Sequence, residues 1–234
     1  MGITGIGIAT IVSQLIALII LIIKILKNIR IIDFSIKYFY PKIDFLKDLF
    51  FQSAPISAAL LSFTVGNTII LTYVGIFGEY ATAGYGSAAR FEQVLLLPVL
   101  GLNTAIISII AQNYGAKNFL RVKESYFKAI NYGFIIMIFS GLIVFLSADK
   151  IVSIFSDNLN VIEFGARYLK ISAFLFPAYP IFFISNGFFM SLKKSENAMI
   201  SNMIRNILLP LFAFYLVKSM NGGFNTFFWT YCFF

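Results

Sequence analysis

Six long apolar runs, each about as long as the hydrocarbon layer of a bilayer is thick, limit what this chain can fold into. A helix crossing that layer needs about 20 apolar residues, with a range of roughly 17–25. On that measure the sequence predicts spans at 2–23, 51–75, 86–112, 129–148, 168–192 and 198–217, with a seventh beginning near 224. The runs are too long for strands and lack strict alternation. The fold class expected is all-α, a polytopic transmembrane helix bundle. Composition agrees: 59% of residues are hydrophobic and 12% charged, where soluble chains run to roughly 45–50% and about 25%.

The cations are segregated. Lys24, Lys27, Arg30, Lys37, Lys42, Lys47, Lys117, Arg121, Lys123, Lys128, Lys193, Lys194 and Arg205 fall in the alternate segments 24–48, 114–128 and 193–205. The other side holds Lys150, Arg167, Lys170 and Lys218, and Arg90 stands apart. Positive charge collects on the cytoplasmic side of membrane proteins, so the first span is expected to end in the cytoplasm. Localisation in the cell's inner (plasma) membrane follows, as a multi-pass protein. The net charge of +8 has the same cause, and no nucleic-acid partner is expected. The run 2–23 is too long for a secretory signal and no basic residue precedes it.

Segment 28–48 differs. Ile32, Ile36, Phe39 and Ile43 recur at helical spacing, with Arg30, Asp33 and Lys37 on another face. It reads as an amphipathic connector on the inner leaflet, interrupted by Pro41; a plain surface loop is the alternative. At the ends, Met1 runs straight into apolar sequence and "FNTFFWTYCFF" is about half a span long. The expectation is a piece of something longer, or a truncated reading frame.

Histidine is absent and Cys232 is the lone cysteine. That removes the usual general base and any cysteine cluster for a metal. Without a Gly-rich phosphate loop either, the chain is read as no enzyme, with no cofactor and no metal.

The polar groups inside the spans carry what chemistry there is. Arg90 and Glu92 are two residues apart, roughly 200° around a helix, and cannot pair with each other. One reading makes Glu92 a cation or proton site and Arg90 its tuning charge. The other has both snorkelling to the headgroups. Asn67, Thr68, Asn103, Thr104 and Asn186 either bind a ligand or join neighbouring helices. Pro98, Pro177 and Pro180 each remove a backbone donor at depth. They are expected to act as hinges, with Pro177 and Pro180 bending the fifth span strongly.

Residues 85–124, "YGSAARFEQVLLLPVLGLNTAIISIIAQNYGAKNFLRVKE", carry more specific information. The order Arg90-x-Glu92-Gln93, Pro98-x-x-Gly101-Leu102 and Gln112-Asn113-x-Gly115-Ala116 resembles the multidrug and toxic compound extrusion (MATE) family in its second half. Residues 2–24 and 50–86 resemble that family's sixth and seventh spans. The resemblance implies one six-helix lobe of a MATE-like transporter plus one helix of the preceding lobe. The domains are then 1–27, the last span of the first lobe; 28–48, the connector; and 49–234, the second lobe, truncated in its last span.

It also implies cation-coupled antiport. Protons or sodium would move inward while a lipophilic or cationic drug moves out, with membrane lipid and a missing N-terminal lobe as partners. Arg90 and Glu92 would face the cavity, lined by Asn67, Gln93, Asn186 and the aromatic faces of Tyr73, Tyr85, Phe176 and Tyr179. A lipid or polysaccharide flippase of the same superfamily is one alternative, and a non-transporting fragment or assembly partner is the other. Members of that family often carry an ion-coupling Asp in the first span of the first lobe, the lobe expected to be missing here; by the resemblance, the related second-lobe position is Ile70.

Overall fold

The computed structural model describes residues 2–28, 42–219 and 222–233. Most of the connector expected at 28–48, including Arg30, Asp33, Lys37 and Pro41, lies outside them. Among the described residues the structure is helical, with no strand. The chain divides into two compact units, Met1–Lys47 and Asp48–Phe234. The first contains α1 (Gly2–Asn28), whose stretch Gly7–Ile25 is long and apolar enough to cross a membrane.

The second unit is a bundle. It is built from α2 (Ile43–Gly75, whose first residues precede the unit boundary), α3 (Glu79–Gly115), α4 (Phe119–Ser153), α5 (Leu159–Ser172), α6 (Ala178–Ser191), α7 (Ser195–Met203), α8 (Leu209–Ser219) and α9 (Phe224–Phe233). A π-helical turn, Ile204–Leu208, joins α7 to α8 without a break. α2, α3, α4 and the continuous Ser195–Ser219 rod are each long and apolar enough to span a membrane. All are longer than the apolar runs, because their polar ends carry helix beyond the hydrocarbon.

The bundle shows its apolar side chains outward. Leu60, Leu61, Val94, Leu97, Leu142 and Leu146 are all exposed, as lipid permits. Helix contact falls instead on small residues. The clearest case is α3 against α5. A Cβ on Gly84 would lie 2.6 Å from the Val161 carbonyl oxygen and 2.8 Å from the Gly165 nitrogen, and one on Gly165 would lie 2.8 Å from the Gly84 oxygen. Backbone touches backbone there, which no other side chain allows. Gly66 of α2 likewise abuts the backbone of Asn206 in the π turn.

Two sequence expectations change, and the sixth span holds a distortion the sequence reading does not name. The fifth span is not one bent helix over 168–192. It begins nine residues earlier, as α5, and breaks at 173–177 before restarting as α6. Pro177 caps α6 and Pro180 lies in its first turn, where a missing N–H is harmless. Pro98 does not break α3, which runs through it from Glu79 to Gly115; an interior proline forfeits one bond, and the long flanking helix keeps its course. In the sixth span Pro210 cannot donate to the Asn206 carbonyl. The helix widens just before it, and Leu209 N–H bonds to Ile204 O instead.

Away from the cavity described below, Tyr126 of α4 shares a 2.8 Å hydrogen bond with Ser185 of α6. Interhelical bonds in lipid average about 0.6 kcal/mol. Tyr126→Phe is expected to cost about that in a detergent melt. Ser185→Ala should cost the same, and the double variant no more than either.

Candidate functional site

One stripe of α3 supplies the centre of the site. Ala81, Gly84, Tyr85, Ala88, Glu92, Val99, Ile106 and Ile110 are its buried residues, which recur along one helical face. Glu92 is the only ionisable carboxylate on that stripe. It is 7% exposed and opens onto a cavity of about 110 Å³, room for several waters. Asn67 and Ile70 of α2, Tyr168 of α5, Tyr179 and Phe183 of α6, Arg205 and Asn206 of the π turn, and Phe228 and Tyr231 of α9 close it.

The carboxylate is held at both oxygens. Tyr168 donates its hydroxyl to Oε2 at 2.6 Å, and Tyr179 donates to Oε1. An ionised carboxylate accepts at about four lone-pair sites. Two tyrosines therefore fix its direction and leave accepting capacity toward the cavity. The tyrosines are fixed in turn by packing: the Tyr168 ring meets Tyr85 edge-on at 4.9 Å and Phe228 at 4.8 Å. Tyr85 donates to Asn67 Oδ1 at 3.4 Å, which ties α2 to α3 across the cavity. Gln93 also lines the cavity and is itself exposed.

The expected residues thus separate into two groups. Glu92, Gln93, Asn67, Tyr85 and Tyr179 come together around one cavity. Arg90 does not: it is exposed, because two helical steps turn it to the face of α3 opposite Glu92. Nor is it near a helix end. α3 starts at Glu79, so Arg90 is about three turns in. Asn186 is buried beside the cavity without lining it. Its amide donates to the Phe182 carbonyl at 3.0 Å and accepts from Asn202 at 3.3 Å, and Asn202 accepts from Asn206 at 3.4 Å. Tyr73 stacks on Phe227 at 4.0 Å in an aromatic cluster of α2, α8 and α9, and Phe176 is wholly in the core. Neither meets the cavity.

Tyr168, Arg205 and Asn206 are cavity residues that the sequence reading does not assign to the site. Arg205 groups with the cytoplasmic cations of 193–205 in a count by segment. It stands well inside the continuous Ser195–Ser219 helix, where a cation costs about 2.5–3.5 kcal/mol on insertion scales. Its guanidinium lies over the rings of Phe182 at 4.2 Å, Tyr179 at 5.0 Å and Phe183 at 5.7 Å. A signal does exist in the sequence: Met203-Ile204 and Ile207-Leu208-Leu209 lie on either side of the pair Arg205-Asn206, and Pro210 follows Arg205 by five positions.

The family model MatE matches residues 55–216. The probable multidrug resistance protein YpnP of Bacillus subtilis is 25% identical over 208 residues, which is 89% of this chain and 45% of YpnP. The multidrug export protein MepA of Staphylococcus saprophyticus is 24% identical over 211 residues, 89% of this chain and 46% of MepA. Among solved structures, MATE in the straight conformation superposes with a TM-score of 0.87 at 22% identity, covering 99% of this chain and 53% of that one. The chain spans about half the length of the curated relatives it matches, and the helical bundle is half of a MATE transporter fold. With the Arg-x-Glu-Gln helix inside the matched region, the chain belongs to the MatE family.

Proposed function

We propose that this chain works as one lobe of a drug exporter driven by an inward flow of cations, with no enzymatic step. The observation that carries the reading is Glu92: one buried carboxylate, aimed by two tyrosine hydroxyls into a cavity of aromatic and amide side chains. In this reading Glu92 alternates between the coupling ion, a proton or sodium, and a lipophilic or cationic drug. Asn67, Gln93 and Asn206 supply neutral oxygens. Tyr85 and Tyr168 supply ring faces that favour an organic cation, while Tyr179 orients Glu92. The α5–α6 break at Pro177 and Pro180 serves as the hinge.

The same proposal sets residues 1–27 as the last span of the first lobe, 28–48 as connector and 49–234 as the second lobe. It pairs them with a first lobe across a shared vestibule. The protein lies in the plasma membrane with its first span ending in the cytoplasm. The names of the relatives, multidrug resistance and multidrug export, support this over a flippase.

The test uses everted membrane vesicles from cells carrying the chain together with a MATE first lobe. A fluorescent lipophilic cation is expected to accumulate when the lumen is made acid or sodium-rich, and to leak back when that gradient is collapsed. Accumulation indifferent to both gradients sinks the coupling.

A further inference from the structure

The cavity holds one formal negative charge, Glu92, and one formal positive charge, Arg205. They do not form an ion pair: the ion pairs among the described residues are Lys128–Glu124, Arg167–Glu163 and Lys170–Asp149. Three ring faces, all from α6, occupy the guanidinium instead. One of those rings belongs to Tyr179, whose hydroxyl donates to Glu92. Tyr179 therefore lies between the two charges, its edge on the anion and its face on the cation. Arg205 itself is set in the π turn forced by Pro210, which is braced against α2 at Gly66.

The arrangement has an electrostatic consequence. A cation approaching Glu92 meets a cavity already balanced in charge. The rings hold the guanidinium back, so the carboxylate's free lone pairs stay open to the newcomer. Yet the field of Arg205 acts on anything bound there, and that field is strong where lipid and protein exclude water. Removing Arg205 deepens the well at Glu92. Removing the nearest of the three rings, Phe182 at 4.2 Å, weakens that hold and lets the guanidinium move toward the carboxylate and compete for the well.

We infer that Arg205 is the resident counter-charge of the cavity, a positioning residue that acts on Glu92 through Tyr179 and sets how tightly an arriving cation is held. The inference rests on the reading of Glu92 as the cation site. It assigns Arg205 the task of keeping that site weak enough to release its occupant, which an exchanger needs as much as it needs binding.

The experiment measures binding of radiolabelled tetraphenylphosphonium to the purified chain in lipid nanodiscs. Arg205→Gln is expected to bind about tenfold more tightly than wild type, from loss of a nearby like charge. Arg205→Lys, which keeps the charge, returns to within about threefold of wild type. Phe182→Ala removes the nearest ring face without altering the cavity wall. It is expected to bind about tenfold more weakly, because the freed guanidinium pairs with Glu92. The gain in Arg205→Gln vanishes when Glu92→Gln is added.

A purely structural arginine predicts loss, never gain, so wild-type or weaker binding by a helical Arg205→Gln protein overturns the inference. If that variant does not fold, Phe182→Ala decides, and unchanged affinity there overturns it. Wild-type binding by Glu92→Gln instead overturns the cation-site reading beneath it, and the inference falls with it. Loss in Glu92→Gln alongside no gain in Arg205→Gln removes only the role of Arg205.

Discussion

Glu92→Gln is expected to weaken binding of a lipophilic cation about thirtyfold or more, and to abolish its gradient-driven accumulation in everted vesicles. That size follows from the cost of truncating one partner of a buried charge pair, about 2–5 kcal/mol. The substitution suits the question because it keeps shape. The glutamine carbonyl still accepts from one tyrosine, and its amide NH₂ donates to the hydroxyl oxygen of the other. Tyr168 and Tyr179 therefore retain partners, and the bundle should melt close to wild type. What disappears is the negative charge that faces the cavity. Tyr179→Phe provides a graded comparison: it leaves the charge but frees one carboxylate oxygen, so a smaller loss is expected. Equal binding by wild type and Glu92→Gln would remove the carboxylate from the mechanism.

Gly84→Leu is expected to produce the largest loss of stability of any single change in α3. The new Cβ would fall 2.6 Å from the Val161 oxygen and 2.8 Å from the Gly165 nitrogen. Both are backbone atoms of α5, so no side chain can rotate away, and the helices must separate along their contact. Overpacking of this kind costs about 3 kcal/mol or more, which lowers a detergent melting midpoint by about 10 °C for a unit of this size. The separation would also carry Tyr168 away from Glu92, since both lie along the same helix pair. Gly86→Leu is the control. It sits in the same helix, and a Cβ there meets nothing within 4 Å, so its midpoint should stay near wild type. Equal melting of the two variants would show that the close α3–α5 approach does not support the bundle.

The polar features of α3 illustrate how sequence and structure divide the work. Arg90 and Glu92 look alike in a linear reading, two charges at one end of an apolar run. A helix turns them to opposite faces, but only packing decides which face is inside. The glycine and alanine stripe 81–84–88 continues into Glu92 and marks the buried side. Small residues at helical spacing are legible in a sequence, and here they distinguish Glu92 from Arg90. Arg205 is harder. Its neighbours Lys193 and Lys194 belong to a turn, with Lys193 at φ 58°. Counting cations by segment draws Arg205 into that group. It lies three helical turns further along, in a π turn whose widening follows from a proline five residues later.

The fifth span departs from expectation for a related reason. Hydropathy marks where a chain is apolar, not where its helix is continuous, and Tyr168 lies in α5 ahead of the break. At the start of an apolar run, beside Arg167 and Lys170, it has the surroundings of an interfacial residue. One of the two tyrosines that hold Glu92 is therefore invisible to a linear reading.

By itself the sequence determined the solvent, the helical class, the order of the spans and the family, because these depend on run length, charge segregation and local motif order along one chain. Only the tertiary structure decided which polar groups meet. Glu92, Tyr168, Tyr179 and Arg205 come from four separate helical elements, and their meeting depends on how closely glycine-bearing helices approach and where prolines interrupt them. Those distances are properties of packed pairs, so no single stretch of residues records them.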